Sequence, residues 1–342
     1  MRRVGKKSGV FLATLLAAGL LTVEPAISGG DTDETDNGQK SVDTLSRYHY
    51  DDIDRFFLSY DRFLQTGEES AFQTYLDEGT TGLGDFQDQF ALTPEYLAST
   101  VRTYPEFFGS LRNLDSELRA QEPALDAMFG ELESLLPNYP MPTVYFLVGG
   151  LRAGGQAGDG NHVMVAAEIY AKTPGTNMSE LKPGMRMYTP RDVVQIVAHE
   201  AAHIIQEEIQ GTERYLSLYT EPDKGTLIAY SLREGAANLV AKLVSGGHIN
   251  PEAEAYGLQH EEELWELFRE QAMDTDLGDW FFYAPKEHPD WPRDLGYWMG
   301  YRMALKCYEN AADKTEMLTR ILDAVDPEAL LRECALHGTE KN

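Results

Sequence analysis

The stretch His199-Glu200-Ala201-Ala202-His203 constrains this chain more than any other. It lies in an apolar run with a marked helix start. Thr189 is placed to cap the helix and Pro190 suits the first helical position. Asp192 stands three residues after Thr189, in capping-box spacing. Val193, Val194, Ile196, Val197, Ala198, Ala201, Ala202, Ile204 and Ile205 cover most of a predicted helix over roughly 190–210. Such a helix belongs in the middle of a fold. A buried helix has little reason to carry two histidines and a glutamate unless something satisfies them.

Helical spacing supplies the reason. His199 and His203 are four apart, so both imidazoles leave one face about one turn apart. That arrangement suits two nitrogen ligands on one tetrahedral zinc ion. Glu200 falls beside the metal, where a carboxylate can carry a proton from the attacking water to the leaving amine. A third protein ligand is needed. Ile204 to Gly211 holds no histidine, which excludes a metzincin. Glu213, in the apparent loop Gly211-Thr212-Glu213-Arg214, is one candidate. Glu234 is the better one, inside a second apolar helix over roughly 226–246. Gly235, Ala236 and Ala237 would let that helix press close to the first. A glutamate entering an apolar interface asks for a cation.

The rest of the chain reads as a mainly helical α+β fold. From Tyr48 the pattern becomes helical, with Ile53, Phe56, Phe57, Tyr60 and Phe63 on one face. Further helices are predicted over roughly 69–78, 93–103 and 113–136. Thr143 to Val148 and His162 to Tyr170 read as two strands that could pair in a small mixed or antiparallel sheet. Gly149 to Gly155 reads as a turn region between them. Helices then follow over roughly 259–273, 294–310, 314–324 and 327–335. The expected organisation is a signal peptide (1–28), an acidic linker (29–47), a helical part (48–139) and a catalytic part (140–342). Residues 48–342 are expected to form one compact unit.

A helix with HExxH followed by a second helix with a glutamate ligand resembles the gluzincin pattern. Arg233-Glu234-Gly235-Ala236-Ala237 and Asp294-Leu295-Gly296-Tyr297-Trp298-Met299-Gly300-Tyr301 extend the likeness. Together with the first motif they resemble a bacterial family of zinc-dependent proteases of unassigned substrate, related to gliding-motility lipoprotein B. The resemblance covers about residues 140–335. It implies a zincin-like core, peptidase activity on a peptide or protein substrate, and a strand that pairs with the substrate backbone. Val163 to Tyr170 is placed for that strand, or is an ordinary member of the sheet. Tyr297 and Tyr301, four apart on one late helix, are candidates to face the developing oxyanion, with Tyr301 marginally preferred, or are core or rim tyrosines. Arg302 and His260 are weaker candidates. Trp280-Phe281-Phe282-Tyr283 either lines a specificity pocket or forms core. Two other classes stay open: an exported binding protein with a vestigial metal site, and a zinc hydrolase of a non-peptide bond.

Composition narrows the setting. Arg2, Arg3, Lys6 and Lys7 precede an apolar run from Val10 to Val23 and small residues at Ala26 and Ser28, the layout of a secretory signal. No cysteine follows that run, which argues against a lipid anchor. The expectation is an exported, periplasmic or secreted bacterial protein. Removing residues 1–28, with four basic side chains and one acidic, takes the formal charge from −27 to −30. Such a surface disfavours nucleic acid and anionic membranes. No internal stretch reaches the ~18 apolar residues of a spanning helix. Cys307 and Cys334 either bridge the last helices or remain two buried thiols.

Overall fold

Aromatic residues at helical spacing open the ordered chain. The structure is a computed structural model and describes residues 46–281, 285–323 and 326–338. The expected signal peptide, nearly all of the linker, and Phe282 and Tyr283 lie outside the described residues. Tyr48–His49 forms a short strand, β1, so the helical pattern begins a few residues later than its first aromatic. Helix α1 (Asp51–Thr66) then buries Ile53, Phe56, Tyr60 and Phe63 and leaves Leu58 and Leu64 outside. Gly67 ends it in the left-handed conformation that glycine adopts without steric cost.

Six helices complete this part: α2 (Ala71–Asp77), α3 (Thr81–Phe90), α4 (Pro94–Thr103), α5 (Pro105–Gly109), α6 (Leu114–Arg119) and α7 (Glu122–Leu135). The helix expected over 113–136 is therefore two, divided before Pro123, which occupies the opening turn of α7. Helix α3 was not foreseen, because Gly82 and Gly84 weaken its pattern. Gly82 is needed there: a Cβ would overlap the Tyr145 side chain.

The sheet has four strands in the order β1-β2-β4-β3. β2 (Thr143–Leu147) pairs in parallel with β1 and with β4 (His162–Ala166), starting at Thr143 opposite His162. β3 (Gly155–Ala157) pairs antiparallel with β4 and forms the edge. Two expectations change here. The second predicted strand stops at Ala166, and Ala167–Tyr170 turns into a 3-10 helix. β4 also has a neighbour on each side, so its backbone groups are spent on the sheet and no added strand can pair with it.

Glu168 explains the early stop. Its fully buried carboxylate accepts from the N–H groups of Leu151 at 2.8 Å and Gly149 at 3.2 Å. Gly150 and Leu151 both hold positive φ, of 66° and 65°, which points those donors inward.

One buried cluster runs from Tyr48 to Cys334. α3 covers the sheet face that carries Tyr145 and His162. The opposite face, with Gly155, meets α8 (Val193–Gln210). Beyond it come α9 (Thr212–Thr220), α10 (Leu227–Ser245), α11 (Pro251–Gln271), α12 (Leu295–Asn310), α13 (Lys314–Asp323) and α14 (Pro327–Gly338). The segment read as a loop at Gly211 to Arg214 is the first turn of α9. Gly235 presses α10 against α12 rather than against α8. A Cβ there would overlap the Gly300 backbone, and one on Gly300 would overlap the Ser231 carbonyl. Cys307 and Cys334 are joined in a disulfide that ties α12 to α14. Among the described residues no helix is long and apolar enough to cross a membrane.

Candidate metal centre

The motif helix starts as its sequence dictates. The Thr189 N–H and hydroxyl both donate to Asp192 Oδ2, at 2.7 and 2.8 Å. Pro190 opens a 3-10 turn that runs straight into α8. Val193, Val197, Ala198, Ala201 and Ala202 are fully buried around the helix. This packing carries the polar residues inward with them: His199, Glu200, His203 and Glu234 are exposed by 2, 7, 7 and 8%.

Three of these converge. His199 Nε2 and His203 Nε2 are 3.0 Å apart, and Glu234 Oε2 stands 3.3 and 3.2 Å from them. Ligand atoms about 2.0–2.1 Å from a tetrahedral zinc stand roughly 3.3 Å from one another. The triangle therefore fits a small cation at its centre, and the donor set, two imidazoles and a carboxylate, suits one. This is the one group of metal-binding side chains found among the described residues.

The electrostatics make the same demand. Burial works against a charged imidazole, yet the Glu234 carboxylate outweighs it and raises His203 to about 9. Burial would likewise raise Glu234, but the two histidines hold its carboxyl well below the usual range. A carboxylate sealed in this interior requires positive charge beside it.

Sequence reasoning missed Gln206, which fixes one ligand. His203 Nδ1 lies 2.8 Å from Gln206 Oε1, and Gln206 Nε2 donates to the Arg233 carbonyl at 3.0 Å. With Nδ1–H directed at an acceptor, the Nε2 lone pair is left for the metal. The signal was present, since Gln206 lies three residues beyond His203 on one helix face. His199 lacks an equivalent: its Nδ1 is buried with no hydrogen-bond partner among the described residues. Asn238 Oδ1, on α10 one turn beyond Glu234, is also buried with no hydrogen-bond partner among the described residues.

Glu200 turns toward the sheet. Its Oε2 accepts from the Ala157 N–H at 3.0 Å. The bonds from Ala166 N–H to the Gly154 carbonyl and from Gly158 N–H to the His162 carbonyl fix the β3–β4 register. In that register Gly155 and Ala157 turn their N–H and C=O groups outward, away from β4. The outward edge of β3 thus meets Glu200, a position the sequence had suggested for Val163 to Tyr170. The Ala157 carbonyl meets Gln89 Nε2 at 3.4 Å.

The two tyrosines have different surroundings. The Tyr297 ring lies 6.0 Å from the His199 ring, and burial followed by the Glu234 charge pushes its phenol well up. The Tyr301 ring stands perpendicular to that of His248, with centroids 4.3 Å apart, and burial followed by the Glu254 charge raises its phenol. Arg302 is bonded to Glu261 at 2.9 Å and His260 stacks on Tyr256 at 4.1 Å, so neither joins the trio. Glu213 is exposed on α9. Trp280 and Phe281 are buried.

Comparison with family models, with characterised proteins and with solved structures finds no match to this chain.

Proposed function

We propose that this chain is an exported zinc-dependent metallopeptidase of gluzincin type. The buried triangle of His199, His203 and Glu234, with Glu200 adjacent, is the observation that carries the reading. A zinc ion held there would polarise the scissile carbonyl and acidify the attacking water. His199, His203 and Glu234 hold and orient the ion. Glu200 accepts the proton of the attacking water and returns it to the leaving nitrogen. Tyr297, beside His199, donates to the oxygen on which negative charge develops. The substrate backbone adds to the outward edge of β3 by displacing Glu200 from the Ala157 N–H and Gln89 from the Ala157 carbonyl, which gives affinity with little sequence preference. The signal-like N-terminus and the Cys307–Cys334 disulfide favour an oxidising compartment.

The test combines metal analysis with one conservative variant. Purified chain should contain about one equivalent of zinc and cleave peptides until chelated. Glu200→Gln should keep the metal and lose roughly 10²–10⁴-fold of the rate, the range typical of a general base. Equal peptide cleavage by Glu200→Gln and wild type would sink the mechanism.

A further inference from the structure

Helix α9 is the one α-helix among the described residues that gives no side chain to the main buried cluster. It buries only Ser217 and Leu218 and leaves Thr212, Glu213, Tyr219 and Thr220 outside. Gly211 parts it from α8 with φ of 77° and ψ of 144°, a break that glycine makes without steric cost. At its other end Glu221 to Lys224 are exposed. An element with so few buried apolar contacts opens locally at a small part of the cost of global unfolding.

α9 nevertheless lies against the trio. The Arg233 side chain, next in sequence to Glu234, reaches from α10 to α9. It donates to the Tyr215 carbonyl at 2.7 Å and lies over the rings of Tyr215 and Tyr219, at 4.1 and 5.3 Å. Its other terminal nitrogen donates to Gln210 Oε1, in the last turn of α8, at 3.0 Å. Three hydrogen bonds, through Gln206 and Arg233, thus join His203 to the α9 backbone. Burial foremost pushes the Tyr215 phenol up, and the Glu234 and Glu200 charges add to it. The remaining ties of α9 are slight. Thr212 with Glu207 and Arg214 with Asp323 are surface contacts, and Tyr219 meets Tyr230 with ring centroids 5.5 Å apart.

His199, Glu200, His203 and Glu234 are nearly sealed from solvent, so anything larger than a bare ion reaches them only when a covering element moves. α10 and α12 meet through bare backbone at Gly235 and Gly300, and α8 is buried over most of its surface. α9 is the least held of the helices beside the trio.

We infer that α9 is a strap closed across the trio, hinged at Gly211 and latched by Arg233. One charge-assisted hydrogen bond and two ring faces hold it, and they part together when the strap lifts. The strap governs entry whatever enters, so it goes beyond the peptidase reading and does not require it.

The experiment compares wild type with two variants of the full chain. Arg233→Lys keeps the charge and loses the guanidinium fork. Tyr219→Ala removes only the outer, partly exposed ring. Amide hydrogen exchange, resolved by peptide, is the first readout. In wild type residues 212–220 should exchange through an opening that leaves α8 and α10 protected. That opening should be roughly 10- to 100-fold more frequent in Arg233→Lys and roughly 2- to 5-fold in Tyr219→Ala, with α8 and α10 unchanged. Loss of zinc from the zinc-loaded chain to excess EDTA is the second readout, and it should quicken in the same order. Exchange of 212–220 only together with α8 and α10 overturns the strap. Equal acceleration of all three helices in Arg233→Lys overturns the latch, and equal EDTA rates in all three proteins overturn control of entry. Should Arg233→Lys not fold, Tyr219→Ala at its exposed position decides. A chain that binds no zinc removes the metal reading, and the exchange measurement still decides the strap.

Discussion

Gln206 marks the difference between bringing candidate metal ligands together and holding one of them still. Gln206 is fully buried and ties His203 to the backbone of the neighbouring helix. Gln206→Ala should weaken zinc binding by roughly 10–100-fold, read by competition with a chromophoric chelator, while the helical circular dichroism stays unchanged. An unaltered affinity would show that helix packing alone orients the imidazole. At this scale the sequence was most informative. His199, His203 and Glu234 could be named before any coordinates, because ligand spacing within one helix is local, and a buried acid on a second helix has few other uses. What it could not give is how each side chain is directed. The sequence marginally favours Tyr301 over Tyr297, yet the packing of α12 turns Tyr297 toward His199 and Tyr301 toward His248.

Elements show where local reasoning runs out. β3 is Gly-Gln-Ala, a sequence with no preference for extended structure, and it is a strand because β4 pairs with it. The edge beside Glu200 was invisible for that reason, whereas the β-branched β2 and β4 were legible. The turn between β2 and β3 hangs on Glu168. Burial raises its carboxyl from 4.5 to about 7, against the pull of the backbone donors around it. A carboxyl raised on folding contributes stability that is fully present below about pH 4.5 and is lost as pH rises through 7. Wild type should therefore lose, between those pH values, on the order of 3 kcal/mol relative to Glu168→Gln, which does not titrate. Unfolding free energies of the two across pH 4–8 measure this, and parallel curves would exclude it. At the other close contact, Gly300→Ala should cost at least 1–3 kcal/mol, seen as a lowered denaturation midpoint, because α10 and α12 cannot separate without disturbing the core.

The whole molecule is a strongly acidic chain with a single disulfide near its C-terminal end. The bridge spans 27 positions, and loop-closure entropy assigns a bridge of that span about 3–4 kcal/mol. Cys334→Ala should lower the urea midpoint accordingly, and reductant should then have no further effect. Zinc content should be retained, since the proposed ligands reside on α8 and α10. The helical class and the small sheet followed from periodicity, and so did the order of most helices. Strand order did not, because parallel pairing of β1, β2 and β4 depends on contacts far apart in the chain. The backbone contact of Gly235 with Gly300 has a consequence for how the molecule can move. With no side chain between them, the helix bearing Glu234 and the helix bearing Tyr297 have no cushion across which to slide. They are locked as one body, so movement beside the trio falls to α9 and to β3, whose Ala157 N–H is tied to Glu200. On the proposed function, a bound substrate that draws β3 outward would reposition Glu200 while leaving the group of His199, His203 and Glu234 undistorted.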